Sequence, residues 1–111
     1  ICGDQNLNLP YLAELSSLWA HPSILSFGHE VHLEVAGKYF PKDIIFGNIE
    51  PAVFQAGTPQ QVYELCKIAI EKGKKVPGGF ILAPGCGLPP MSLPEDVFAM
   101  TKAVMELGWY D

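Results

Sequence analysis

The sequence predicts an α/β fold with parallel strands, and three observations carry that prediction. Short, continuously apolar runs end in glycine-rich turns, longer amphipathic segments lie between them, and the two kinds alternate along the chain. The first run is Ile24-Leu25-Ser26-Phe27, ending at Gly28. The second is Ile44-Ile45-Phe46, ending at Gly47-Asn48, and the third is Phe80-Ile81-Leu82-Ala83, ending at Pro84-Gly85-Cys86. Runs of this kind mark strands buried on both faces of a parallel sheet.

The segments between them have helical spacing. From Thr58 to Lys72, the residues Val62, Leu65, Cys66, Ala69 and Ile70 share one face. Thr58 with Gln61 forms a capping box, Pro59 fits the first turn, and Gly73 supplies a stop. Ser92 to Leu107 repeats the design, with Ser92 and Glu95 as the box, a stripe of Val97, Met100, Val104 and Leu107, and Gly108 as the end. A third helix is expected over Glu30 to Tyr39, using Val31, Val35, Ala36 and Tyr39, and a fourth over Pro10 to Leu18.

Helix alternating with strand leaves two architectures open, a doubly wound sheet or part of a (β/α)8 barrel. A complete barrel takes about 250 residues, and the 111 here are fewer than half of that. No internal repeat or linker is visible, so residues 1–111 read as a single partial domain. Part of a barrel has unpaired strand edges, through which an isolated piece is expected to self-associate. The first residue is Ile1 and the potential ligand Cys2 follows at once, which reads as a fragment of something longer.

Composition narrows the function classes. With 49% apolar and 17% charged residues the chain is not a disordered tail. The net charge of −5 argues against nucleic acid as a partner. All seven basic residues are Lys, so no guanidinium fork is present for phosphate or carboxylate. The longest charge-free window, Val76 to Pro94, is broken by prolines and glycines and does not read as a membrane span, and no secretory leader is legible. Three widely spaced cysteines do not make a disulfide framework, which points to a reducing, cytoplasmic setting.

In a parallel sheet, ligands meet the carboxyl ends of the strands. Those ends carry Gly28-His29-Glu30, Gly47-Asn48-Ile49-Glu50-Pro51 and Gly85-Cys86-Gly87, and Cys2-Gly3-Asp4 joins them if Ile1 is the stub of a further strand. Cys86, between two glycines, is placed for an accessible thiol, whereas Cys66 on an apolar helix face reads as packing. Cys2 and Cys86 at one rim suggest zinc, with His29 or Glu30 as a further ligand. His29 also reads as a hydrogen-bonded residue at a helix start. Asn48 and Glu50 frame a turn before Pro51; they read equally as substrate-orienting groups and as residues satisfying turn amides. His32 and His21 carry no functional signal. No dinucleotide or P-loop fingerprint appears.

Three segments together resemble a known group. They are Gly47-Asn48-Ile49-Glu50-Pro51, then Gly57-Thr58-Pro59 with its helix, then the run from Gly78-Gly79 through Pro84-Gly85-Cys86-Gly87 to Pro89-Pro90. The chain resembles, from Ile1 to its end, the carboxyl-terminal part of the uroporphyrinogen decarboxylase superfamily. Within it, the sequence looks like the cobalamin-dependent methyltransferase branch, which includes methylcobalamin:coenzyme M methyltransferases and the methyltransferases of aryl-ether O-demethylase systems.

The resemblance implies the last strands and helices of a (β/α)8 TIM barrel. It also implies zinc held by a His-x-Cys pair and a distant Cys. Ile1-Cys2 matches the last two positions of the pair, whose His falls one residue before Ile1, and Cys86 matches the distant ligand. Glu30 is the candidate carboxylate ligand, and Asn48, Glu50 and His29 are the candidate catalytic residues. The implied reaction moves a methyl group between an aryl methyl ether or thiol and a corrinoid on a partner protein; the isolated fragment is expected to be inactive. Decarboxylases of the superfamily typically carry His where Cys86 stands, and Glu50 replaces an Asp usual in that turn. The competing expectations are uroporphyrinogen decarboxylation in porphyrin biosynthesis and a catalytically silent barrel fragment or binding module.

Overall fold

A computed structural model of the protein describes residues 1–110. The elements run α1 (Leu9–Leu15, continued by a 3-10 turn, Ser16–Leu18), β1 (Ile24–Ser26), α2 (Leu33–Tyr39), β2 (Ile44–Ile49), α3 (Val53–Ala56), α4 (Pro59–Gly73), β3 (Phe80–Pro84) and α5 (Pro94–Leu107). The three strands are parallel and adjacent in chain order, β1-β2-β3. Ile24 pairs with Ile44, Leu25 with Ile45 and Ser26 with Phe46. On the other side of β2, Ile45 pairs with Phe80 and Asn48 with Ala83.

Side chains alternate across a strand, so this register sorts the sheet into two faces. Ile45 and Ile49 belong to the buried core, and Leu25, Phe80 and Leu82 pack against it. Val62, Cys66, Ala69 and Ile70 of α4 and Leu33 and Ala36 of α2 complete that layer. Phe27 stacks on Phe40 with ring centroids 5.8 Å apart. The opposite face carries Ile24, Ile44, Phe46 and Ile81, none of which joins the core; Ile24 is 59% exposed and Ile81 37%. Helices therefore cover one face only, while the other is apolar and open. A doubly wound sheet carries helices on both faces. Sequential parallel order with a one-sided helical layer is the wall of a (β/α)8 barrel, of which these strands form part.

Several expectations need correction. The sheet has three strands among the described residues, and Ile1 is not one of a fourth. Its amino nitrogen nevertheless lies against the end of β1, donating to Ser26 O at 2.6 Å. The second strand runs on to Ile49, so Asn48 is a strand residue rather than part of a turn. The third helix starts at Leu33, because Gly28–Val31 closes a β-turn in which Val31 N donates to Gly28 O at 3.2 Å. The fourth, α1, ends at Leu15 before the 3-10 turn.

The Thr58–Gln61 box forms, with Gln61 N donating to Thr58 Oγ1 at 3.2 Å and Thr58 N to Gln61 Oε1 at 2.9 Å. The Ser92–Glu95 box does not form: Ser92 Oγ donates to Pro89 O, and Leu93 takes the N-cap position of α5 without a side-chain cap. The most buried line of α5 is Asp96, Ala99 and Ala103; Val97, Met100 and Leu107 of the expected stripe pack against the core beside it, while Val104 is 42% exposed.

Candidate metal and substrate site

The carboxyl ends of the strands meet at one rim, and close backbone approaches bring them there. A Cβ on Gly85 would lie 2.9 Å from Gly28 Cα and 3.0 Å from His29 N. The loop after β3 thus stands directly against the loop after β1, with Gly85 N also donating to Ile49 O at 2.7 Å. Gly47 plays the same part below them: its φ is +145°, and a Cβ would fall 2.5 Å from Phe27 O.

Cys2 and Cys86, 84 residues apart, meet at this rim with Cα atoms 5.6 Å apart and their sulfurs joined in a disulfide. The convergence is what the sequence led us to expect. The bond corrects the expectation that no disulfide forms: widely spaced thiols become neighbours once the strand ends converge. Both residues are exposed. Cys66 is fully buried in α4, and burial pushes its thiol pKa up to about 12, so it is packing as expected.

The segment from Cys2 to Asn6 is tied to the β1–α2 loop. Asn6 N and Nδ2 donate to Asp4 Oδ1 at 3.0 and 2.7 Å, which holds the Asp4 carboxyl below its ordinary pKa. The same Nδ2 also donates to Glu30 O at 2.8 Å. Gln5 Nε2 reaches Cys2 O at 3.1 Å. The sequence reading missed Asn6; its signal was the Asp4-x-Asn6 spacing of an Asx turn.

Glu30 folds back over the strand end. A Cβ on Gly28 would overlap Glu30 Oε2, and that oxygen is buried with no hydrogen-bond partner among the described residues. Its other oxygen, Oε1, stands 3.7 Å from His29 Nδ1. Asn48 does not satisfy amides of its own turn: Nδ2 donates to Val31 O at 2.7 Å and to Gly28 O at 3.4 Å, across to the neighbouring loop.

The three candidate catalytic residues share a cleft of about 300 Å³, in which His29, Asn48 and Glu50 face Leu65, Ile68 and Lys72 of α4. Glu50 and His29 are exposed. Lys72 is paired with Glu34 at 3.5 Å. His32, given no role from sequence, also lines this cleft, while Cys2, Cys86 and Glu30 do not. The catalytic candidates and the sulfur pair therefore lie at separate places, connected through the His29–Glu30 turn.

A uroporphyrinogen decarboxylase (URO-D) family model matches residues 1–107. The chain belongs to the uroporphyrinogen decarboxylase family. The superfamily is enzymatic, and its match covers every element described above. No curated protein matches the chain.

The rim of this uroporphyrinogen decarboxylase-family chain carries donors of the type zinc takes, but does not group them into a site. Two sulfurs at one rim and a buried carboxylate oxygen lacking a partner are zinc-type donors. Among the described residues, however, no three His, Cys, Asp or Glu side chains are grouped closely enough to hold a metal as they stand. With the sulfurs bonded to each other, neither is a thiolate. No helix among the described residues is long and apolar enough to cross a membrane.

Proposed function

We propose that the protein takes part in methyl transfer to or from a corrinoid carried by a partner protein, using zinc held by Cys2, Cys86 and Glu30 in the reduced state. The observation that carries this reading is the meeting of Cys2 and Cys86 at the carboxyl end of a parallel sheet despite a sequence separation of 84. Thiolates favour zinc, and an exposed rim gives access to a large partner. When bound, zinc supplies a Lewis acid for a leaving phenolate or thiolate, or lowers the pKa of an acceptor thiol. The chain's own part is to bring two sulfurs together through the Gly28–Gly85 contact, with Glu30 on the neighbouring β1–α2 turn. His29, Asn48 and Glu50 line the adjoining cleft, where a small methyl donor or acceptor would be oriented. Such a site needs free thiols and would therefore work in a reducing compartment such as the cytoplasm.

The test is metal content and activity of the full-length protein kept under reductant. We expect one zinc per chain and corrinoid-dependent methyl transfer, both lost in Cys86→Ala. Retained metal and full activity in that variant would overturn the reading.

Decarboxylation of uroporphyrinogen is the second reading, favoured by the description of the matched family itself. It asks the barrel to hold several substrate carboxylates, and this chain offers only lysines for that purpose. Product analysis on uroporphyrinogen separates the two: loss of side-chain carboxylates by a zinc-free protein would favour decarboxylation.

A further inference from the structure

The segment ahead of α1 adds nothing to the core. Residues 1–8 are all exposed except Gln5, which is half-buried, and the first buried side chain is Leu9. Leu7, the apolar residue nearest to α1, is 89% exposed. Most of the segment's hydrogen bonds are internal, from Gln5 to Cys2 O, from Asn6 to Asp4 and from Asn8 to Gln5. Among the described residues, two links tie residues 2–8 to the strand-end loops. Asn6 Nδ2 donates to Glu30 O at 2.8 Å, and Cys2 is bonded to Cys86. A single exposed hydrogen bond competes with water and holds little, so the covalent link is the one that fixes the segment. Chain without buried apolar contacts is the first to open locally.

We propose that the Cys2–Cys86 disulfide is a redox-sensitive clasp, which straps residues 2–8 to the β3–α5 loop when oxidised and releases them when a dithiol reduces it. The clasp needs no metal and goes beyond the methyl-transfer reading. Both cysteines are exposed, as attack by an external thiolate requires. Gly3 beside Cys2 has a φ of +82° and, like Gly87 beside Cys86, nothing within 4 Å of its Cβ position, so uncrowded backbone adjoins each sulfur. Cys66, the remaining thiol, is buried and kept out of the exchange. The clasp spans the carboxyl ends of the strands, where ligands meet a parallel sheet, so its state sets how open that rim is.

In the opening step a thiolate of the dithiol attacks one sulfur, forming a mixed disulfide and releasing the other cysteine as a thiolate. The second thiol of the reductant then displaces the mixed bond. Two electrons and two protons pass from the dithiol to Cys2 and Cys86, and the reductant leaves as its own disulfide.

The experiment measures backbone 15N order parameters of the full chain before and after dithiothreitol, with a metal chelator present throughout. In the oxidised protein, residues 2–8 should match β2 and α4 at about 0.85, and after reduction they alone should fall below about 0.6. Cys2→Ser should be loose with or without reductant, and Cys86→Ser should repeat that from the other end of the bond. Free thiols in air-oxidised protein, a disulfide that resists dithiothreitol in the folded state, or a segment that stays ordered after reduction or in both variants would overturn the clasp. Loss of order in β2 and α4 together with the segment would also overturn it, because the bond would then serve the fold as a whole. With metal excluded, none of these outcomes decides whether the reduced protein binds zinc or transfers methyl groups.

Discussion

Gly85 and Gly28 are in contact backbone to backbone, with the Cβ position of Gly85 2.9 Å from Gly28 Cα. Two loops that follow different strands are held together there, and any side chain at Gly85 must push them apart. Gly85→Ala is therefore expected to destabilise the protein by about 1–3 kcal/mol, the usual range for an overpacked site. Gly87, two residues on, has nothing within 4 Å of its Cβ position. Gly87→Ala should change stability by no more than about 0.5 kcal/mol. Denaturant melts of the two variants decide it; equal effects would mean that the contact between the loops is not tight.

The three cysteines should separate cleanly by reactivity. Cys2 and Cys86 are exposed at the rim, while Cys66 is buried with a thiol pKa of about 12. Thiolate is the reactive form, so Cys66 is protected twice, by access and by protonation. Brief alkylation of the reduced native protein at neutral pH should label Cys2 and Cys86 and spare Cys66, as read by peptide mass spectrometry. Denaturation should expose all three. Rapid native labelling of Cys66 would contradict its place in the α4 core.

Much of the fold was legible because its signals are local and repeated. The apolar runs at Ile24, Ile44 and Phe80 each begin a strand, and the Thr58–Gln61 box starts α4 where its spacing says. The α5 stripe was legible at Val97, Met100 and Leu107, which pack against the core, but not at its most buried line, Asp96, Ala99 and Ala103, residues with little hydrophobic weight. The Ser92 box failed because the preceding prolines set their own turn and gave the Ser92 hydroxyl a nearer acceptor in Pro89 O. At the site, the strand-end rule brought Cys2, Cys86 and Glu30 to one rim. It did not reveal that Asn48 reaches across to the β1–α2 turn, or that the sulfurs are near enough to bond. Both depend on contacts between distant segments, which no local spacing encodes.

The disulfide and the proposed zinc would be mutually exclusive uses of the same two sulfurs, because a metal ligand must be a thiolate. Oxidised protein should take up no zinc at the rim, and a phosphine reductant should open the site. The disulfide closes a loop across a separation of 84 residues. In the chain-entropy account such a link stabilises by about 4–5 kcal/mol. Reduction without metal should therefore lower the melting temperature, and adding zinc to the reduced protein should raise it again, more strongly with more zinc. Reduced protein whose melting temperature ignores zinc would argue against the site.

Asp43 lies at the opposite end of the sheet, just before β2, with its side chain only 1% exposed. Burial pushes its carboxyl pKa up, but donors from Ser23 N at 2.8 Å, His21 Nδ1 at 2.7 Å and Trp19 Nε1 at 3.4 Å outweigh it. The folded-state pKa is accordingly below the ordinary 3.8. A carboxyl with a depressed pKa adds stability above its unfolded value and loses it as the pH falls through the folded one. Stability should therefore drop on acidification below about pH 4, and Asp43→Asn should be less stable at neutral pH but flatter across that acid range. His21→Ala removes a hydrogen bond to a buried charge and is expected to cost about 1.5–3 kcal/mol at neutral pH. Urea melts at pH 7 and pH 3 measure both effects. An acid dependence in Asp43→Asn as steep as that of wild type would assign the loss to other carboxyls.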